Sequence, residues 1–80
     1  SYLAERGLRD RVIVYLNILA RRTKSNVVAV RMSREQLAQY LCVNRSALSN
    51  ELSKMKQEGI IDFTKYEFHL LRYNEDGTPK

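Results

Sequence analysis

The sequence holds a single cysteine, Cys42, in 80 residues, which excludes an internal disulfide framework and fits a reducing compartment. No apolar run approaches the roughly 20 residues that cross a bilayer. The N-terminus lacks the apolar core of a secretory signal, so a cytoplasmic location with no membrane partner is expected. Internal repeats and low-complexity tracts are absent too. Glu51, Glu58, Asp62 and Glu67 form no pair suited to acid/base work, and His69 has no carboxylate at a suggestive spacing. Cys42 has neither a second cysteine nor a nearby histidine with which to hold a metal. The chain is therefore read as no enzyme, with no catalytic or metal site of its own.

Acids are scarce in one place. Residues 21–45 carry six bases (Arg21, Arg22, Lys24, Arg31, Arg34, Arg45) against one acid, Glu35, while the rest balances eight bases with eight acids. The whole net charge of +5 thus sits in one stretch, and a polyanion is the first partner to consider. At 44% hydrophobic and 29% charged, the composition is that of an ordinary folded domain. The length suits one domain with one modest core. A start at Ser1 rather than Met fits a processed chain or an excised domain.

Leu8, Val12, Tyr15, Leu16 and Leu19 recur at helical spacing and predict an amphipathic helix over Leu8–Arg22. Residues 1–7 are expected to be the remnant of an upstream connecting helix. Val27–Val30 is a short β-branched run and reads as a strand. Ser33-Arg34-Glu35-Gln36 fits a capping box that opens a short helix with Leu37, Ala38 and Leu41 on its apolar face. Cys42-Val43 interrupts it at a turn where glycine is common, and Asn44 is a second N-cap. The next helix runs from Arg45 to Glu58, with Gly59 placed to end it. Ala47, Leu48, Leu52 and Met55 fall on one side of that helix; Ser46, Ser49, Asn50, Ser53 and Gln57 fall on the other.

After Gly59 the period becomes two. Ile61 and Phe63, then Phe68 and Leu70, predict a hairpin around Thr64–Glu67, although its turn lacks the Asn-Gly or Asp-Gly signal. Asn74–Lys80 is expected to be a flexible tail. Two short helices joined by a tight turn and followed by a hairpin give an α+β fold. It is a winged helix-turn-helix with a three-helix core and a small antiparallel sheet over residues 8–73.

The stretch Ser33–Ile61, SREQLAQYLCVNRSALSNELSKMKQEGII, resembles the C-terminal DNA-binding domain of the Crp/Fnr family of bacterial transcription regulators. It carries that family's Ser-Arg-x-x-Leu-Ala, then Leu-x-x-x-Arg-x-x-Leu-Ser, then Glu-Gly-x-Ile. The preceding LRDRVIVYLNILA is similar to the helix that links sensor and reader. The resemblance implies a homodimer on a two-fold symmetric double-stranded DNA site, with RNA polymerase as a further partner. It also implies that any small-molecule effector or redox cofactor belongs to an upstream part of a longer regulator. Matched residue by residue, the base-contacting positions fall on Arg45, Ser46, Ser49 and Asn50. Ser46 stands where the family often has Glu, and Asn50 where it often has Arg.

Chemistry gives the same face a reason to lie in the major groove. Its serines are short enough for close backbone approach, Asn50 matches adenine, and Arg45 can fork onto guanine. A merely solvated helix face would show the same polarity. Ser33 and Arg34 are expected at a phosphate because a helix N-terminus presents free N–H groups there. Lys65, at the hairpin tip, is the expected wing-to-phosphate contact. The rival reading is a winged-helix module that docks protein without DNA. The two differ in where Arg31, Arg34, Arg45 and Lys65 lie in space.

Overall fold

Val12, Leu16 and Ala20 recur every four residues, and that spacing gives helix α1 (Leu8–Thr23) one buried stripe. The computed structural model describes residues 7–80, so the expected upstream remnant lies outside the described residues except for Gly7, the extended N-cap of α1. β1 (Val27–Ala29), α2 (Arg34–Tyr40), α3 (Arg45–Gln57), β2 (Ile61–Phe63) and β3 (Glu67–Leu70) follow in order. The strands form one antiparallel sheet in the order β1-β3-β2. β3 is central: Val28 and Phe63 both pair with Phe68 in register, from opposite sides. This is the winged helix-turn-helix that the period change after Gly59 predicts.

All three helices stop at a left-handed residue: Lys24 (φ 53°), Cys42 (φ 62°) and Gly59 (φ 74°). Past α2, Cys42 N–H donates to the Gln39 carbonyl at 3.1 Å and Val43 N–H to that of Ala38 at 2.9 Å. Past α3, Gly59 N–H donates to Lys56 at 3.1 Å and Ile60 N–H to Met55 at 2.9 Å. The same pair of reverse bonds closes both helices and satisfies carbonyls that the helix leaves open. The helix-turn-helix corner is therefore a regular glycine-type corner made without glycine.

The core is a single apolar cluster in which Leu16, Leu48, Leu52, Met55, Ile61 and Phe68 are at most 1% exposed. It joins the inward faces of α1 and α3 to one face of the sheet. Among the described residues no polar or charged side chain is fully buried. Ala38, in the cluster, lets α2 approach α3 closely; a larger side chain there would separate the two helices.

Asn74–Lys80, expected to be a flexible tail, instead folds back on the domain. Tyr73 bridges to Pro79, and Asn74 N–H donates to the Thr78 carbonyl at 2.7 Å. Asp76 Oδ1 accepts from the Thr78 amide (3.1 Å) and hydroxyl (2.6 Å), which holds its carboxyl below the usual range. Gly77 is buried at φ 88°, and a Cβ there would lie 2.5 Å from the Ala20 carbonyl oxygen. Docking against the end of α1 is what the sequence does not announce, because Asp-Gly marks a free turn and a packed one alike.

Candidate nucleic-acid interface

Asn44 starts α3 by accepting the Ala47 amide on Oδ1 at 2.7 Å. Leu48, Leu52 and Met55 then turn inward, and Arg45, Ser46, Ser49, Asn50 and Ser53 are all exposed. The four residues expected at the bases therefore share the open surface of one helix, with its charge at the N-terminal end and neutral groups further along. Short side chains here leave the helix backbone free to approach a flat or grooved partner.

Ser33 opens α2 with the capping box the sequence predicts. Its Oγ accepts from Gln36 N–H at 3.1 Å, and Gln36 Oε1 accepts from Ser33 N–H at 2.9 Å. The Ser33 hydroxyl proton remains available to an outside acceptor. Arg34, next along, does something the sequence does not reveal. Its Nη2 donates to the Thr64 carbonyl at 3.0 Å and its Nη1 to that of Lys65 at 3.3 Å. The guanidinium lies 4.9 Å from the Phe68 ring centroid and 5.4 Å from that of Phe63. Partial burial lowers its pKa, without discharging a group that stays protonated in proteins. Arg34 thus faces the wing.

The wing tip has a third outside donor: Val30 N–H bonds the Tyr66 carbonyl at 2.7 Å. Three successive carbonyls, of Thr64, Lys65 and Tyr66, are held by groups elsewhere in the fold. That anchoring explains how the hairpin closes without Asn-Gly or Asp-Gly.

With the wing held so, Ser33, Arg34, Arg45 and Lys65 line one open groove of about 460 Å³, together with Glu35 and Tyr66. The three residues expected at phosphates are brought together here with one expected at a base. Ser46, Ser49 and Asn50 continue along α3 outside that lining. Arg31 lies in an adjoining groove, with Ala29, Tyr66 and Glu67, so Tyr66 lines both. Tyr66 is half exposed, with the Lys65 ammonium 5.3 Å from its ring centroid. No ion pair is made by Arg31, Arg45 or Lys65 among the described residues. Their positive charge faces outward, where Glu35 and Glu67 offset part of it.

Sequence reasoning missed Tyr66 and the intramolecular use of Arg34. An exposed aromatic beside a lysine on a predicted tip was available as a signal for the first. Nothing local could reveal the second, because its partners come from a strand pair thirty residues on. His69, exposed on β3, stands opposite Val27 and Asp62 in register. Cys42 is exposed at the helix-turn-helix corner.

A family model, the Crp-like helix-turn-helix domain, matches residues 10–75. Among solved structures, the chain is similar to a mutant CooA from Carboxydothermus hydrogenoformans (22% identity, TM-score 0.74, covering 85% of this chain and 34% of that one). It is similar as well to a CRP-family transcriptional regulator from Thermus thermophilus (29% identity, TM-score 0.69, covering 86% of this chain and 37% of that one). The chain thus spans about a third of the length of either. A search of curated protein sequences returns no match. The matched span runs from the first turn of α1 through the wing and into the C-terminal turn, so it takes in the whole helix-turn-helix. The chain belongs to the family of Crp-like helix-turn-helix domains.

Proposed function

We propose that this chain binds double-stranded DNA sequence-specifically, as the output domain of a CRP-type transcription regulator. The observation that carries the reading is the groove in which Ser33, Arg45 and Lys65 meet at the start of α3. A helix with short polar side chains, flanked by a wing lysine and a helix-opening serine, matches a groove walled by phosphates. In this reading α3 enters the major groove. Arg45 forks onto a guanine, Asn50 pairs with an adenine, and Ser46 and Ser49 fit whichever base lies beneath them. Ser33 and Lys65 hold phosphates on either side. Arg34 supports the wing that presents Lys65, and adds charge to the groove.

The Thermus neighbour is a transcriptional regulator, which supports a regulatory role. The two-fold operator, the homodimer and a contact with RNA polymerase belong to this proposal. So does an effector or redox cofactor held outside these 80 residues. Protein docking loses ground because Arg34, Arg45 and Lys65 line one groove and Arg31 the groove adjoining it. Among the described residues no helix is long and apolar enough to cross a membrane.

Selection of bound duplexes from a random DNA pool tests the reading. Enrichment of a short motif supports it; a pool still random after several rounds, with the chain folded, refutes it.

A further inference from the structure

Arg9 stands in the first turn of α1, far in sequence from α3, and each of its three guanidinium nitrogens bonds a carboxylate of α3 or its C-cap. Nε donates to Glu51 Oε2 at 2.8 Å, and Nη1 and Nη2 reach Glu58 Oε1 and Oε2 at 2.9 and 2.7 Å. Glu51 lies on α3 and Glu58 is its C-cap, seven residues on, which is roughly 10 Å along the helix axis. One guanidinium drawing both carboxylates together is a contact at two heights on the same helix. A contact at one height lets a helix roll or slide about it. A contact at two heights resists both motions, because turning α3 by one residue or shifting it along its axis breaks the bonds to Glu51 and Glu58 together.

The geometry gives these bonds more weight than an ordinary surface pair. The Glu51 side chain is only 19% exposed and that of Arg9 33%; Glu58 is 50% exposed, and its added weight comes from the bidentate fork. Glu58 is held below the usual carboxylate range by its hydrogen bonds from Arg9. The same turn of α1 also reaches the corner before α3: Arg11 Nη1 donates to the Leu41 carbonyl at 2.6 Å and the Cys42 carbonyl at 3.3 Å. The start of α1 therefore grips the C-terminal half of α3 and the corner that precedes the helix. Glu51 immediately follows Ser49 and Asn50, so whatever fixes the azimuth of Glu51 fixes the reading face.

We propose that Arg9 is a positioning residue for recognition: its fork onto Glu51 and Glu58 sets the roll and axial position of α3, and so the selectivity for sequence more than the bare affinity for DNA. The inference rests on the DNA-binding reading above. Phosphate contacts tolerate a small roll of the helix, since charge attracts from a distance. Hydrogen bonds to base edges do not, because their angles are narrow.

The test uses two labelled duplexes, one selected from a random pool by the wild-type chain and one of scrambled sequence. Anisotropy titrations compare wild type with Arg9→Ala, Arg9→Lys and the double variant Glu51→Gln/Glu58→Gln, at a temperature where circular dichroism shows equal helix content. The proposal predicts a fall of roughly fivefold or more in the selected-to-scrambled affinity ratio for both Arg9→Ala and the double Gln variant. Arg9→Lys, which keeps the charge and loses the fork, falls in between. Charge alone would shift both duplexes together, weakening binding for Arg9→Ala and tightening it for the Gln variant, with the ratio untouched. A role in stability alone would lower Tm and leave the ratio of the folded chain intact. A ratio within about twofold of wild type in both Arg9→Ala and the Gln variant overturns the inference. A wild-type chain that shows no preference overturns the DNA reading itself, and the inference falls with it.

Discussion

Arg34 Nη2 lies 3.0 Å from the carbonyl oxygen of Thr64, so the first helical residue of α2 holds the tip of the wing. The same side chain stacks near Phe68 and Phe63, and this joins the helix-turn-helix to the sheet through one planar cation. Removing it leaves two wing carbonyls to water and exposes one edge of the aromatic pair. Arg34→Ala is expected to destabilise the domain by about 1–2 kcal/mol, or ~5–10 °C in Tm. Arg34→Lys recovers less than half of that, because an ammonium cannot serve two carbonyls and lie flat on a ring. Thermal melts and the amide NMR shifts of Lys65 and Tyr66 check this; an unchanged Tm with unmoved wing signals would contradict it.

The division between what the sequence shows and what it hides follows the range of the contacts. The three helices were legible because their apolar spacing, the Ser33–Gln36 box and the Asn44 cap are all local. The hairpin was legible as alternation, but its turn was not, since Thr64, Lys65 and Tyr66 are held by Arg34 and Val30. Ser33, Arg34, Arg45 and Lys65 could be named as candidates from charge and motif. That Arg34 turns toward the wing is a fact of tertiary packing. The C-terminal turn was hidden for the same reason: the approach of Gly77 to Ala20, together with the Tyr73–Pro79 bridge, distinguishes it from a loose end.

Gly77→Ala should cost about 2 kcal/mol, a Tm loss of ~10 °C, because a Cβ meets backbone at φ 88°. Gly59→Ala is the control: its φ of 74° is also left-handed, but no atom lies within 4 Å of the added carbon. The loss there should be about 1 kcal/mol, from backbone strain alone. Differential scanning calorimetry of both variants decides the matter. Equal losses would show that the C-terminal turn does not dock on α1.

Cys42 holds the helix-turn-helix corner at φ 62° with its side chain exposed. Glycine adopts that conformation without penalty but gains freedom in the unfolded chain, so the two effects partly cancel. Cys42→Gly is expected to stabilise the domain by about 0.5–1 kcal/mol, raising Tm by ~3–6 °C. A lower Tm would mean that the thiol makes a contribution the corner geometry does not reveal.

Glu58 is held below the usual glutamate range by its hydrogen bonds from Arg9, and Asp62 below the usual aspartate range by the Phe63 amide and then Lys56. A depressed folded pKa contributes stability above the unfolded value and loses it as pH falls through the folded one. Tm should therefore be flat near neutrality and fall as pH drops through the ordinary carboxylate range and below. The fall should be shallower in Arg9→Ala, where Glu58 has lost its partner. Parallel pH–Tm curves for the two proteins would contradict this linkage.

Cations of the groove beside the reading face of α3 are the proposed hold on DNA phosphates, and the salt dependence of binding tests that most directly. Affinity for a selected duplex is measured by anisotropy from low to moderate salt. Of the groups proposed at phosphates only Lys65 is charged, and Arg34 adds charge beside it. One to two neutralised phosphates therefore predict a slope of log affinity against log salt of about −0.9 to −1.8, and Lys65→Ala should reduce its magnitude by about 0.9. A slope near zero, or no binding at low salt, would contradict the account.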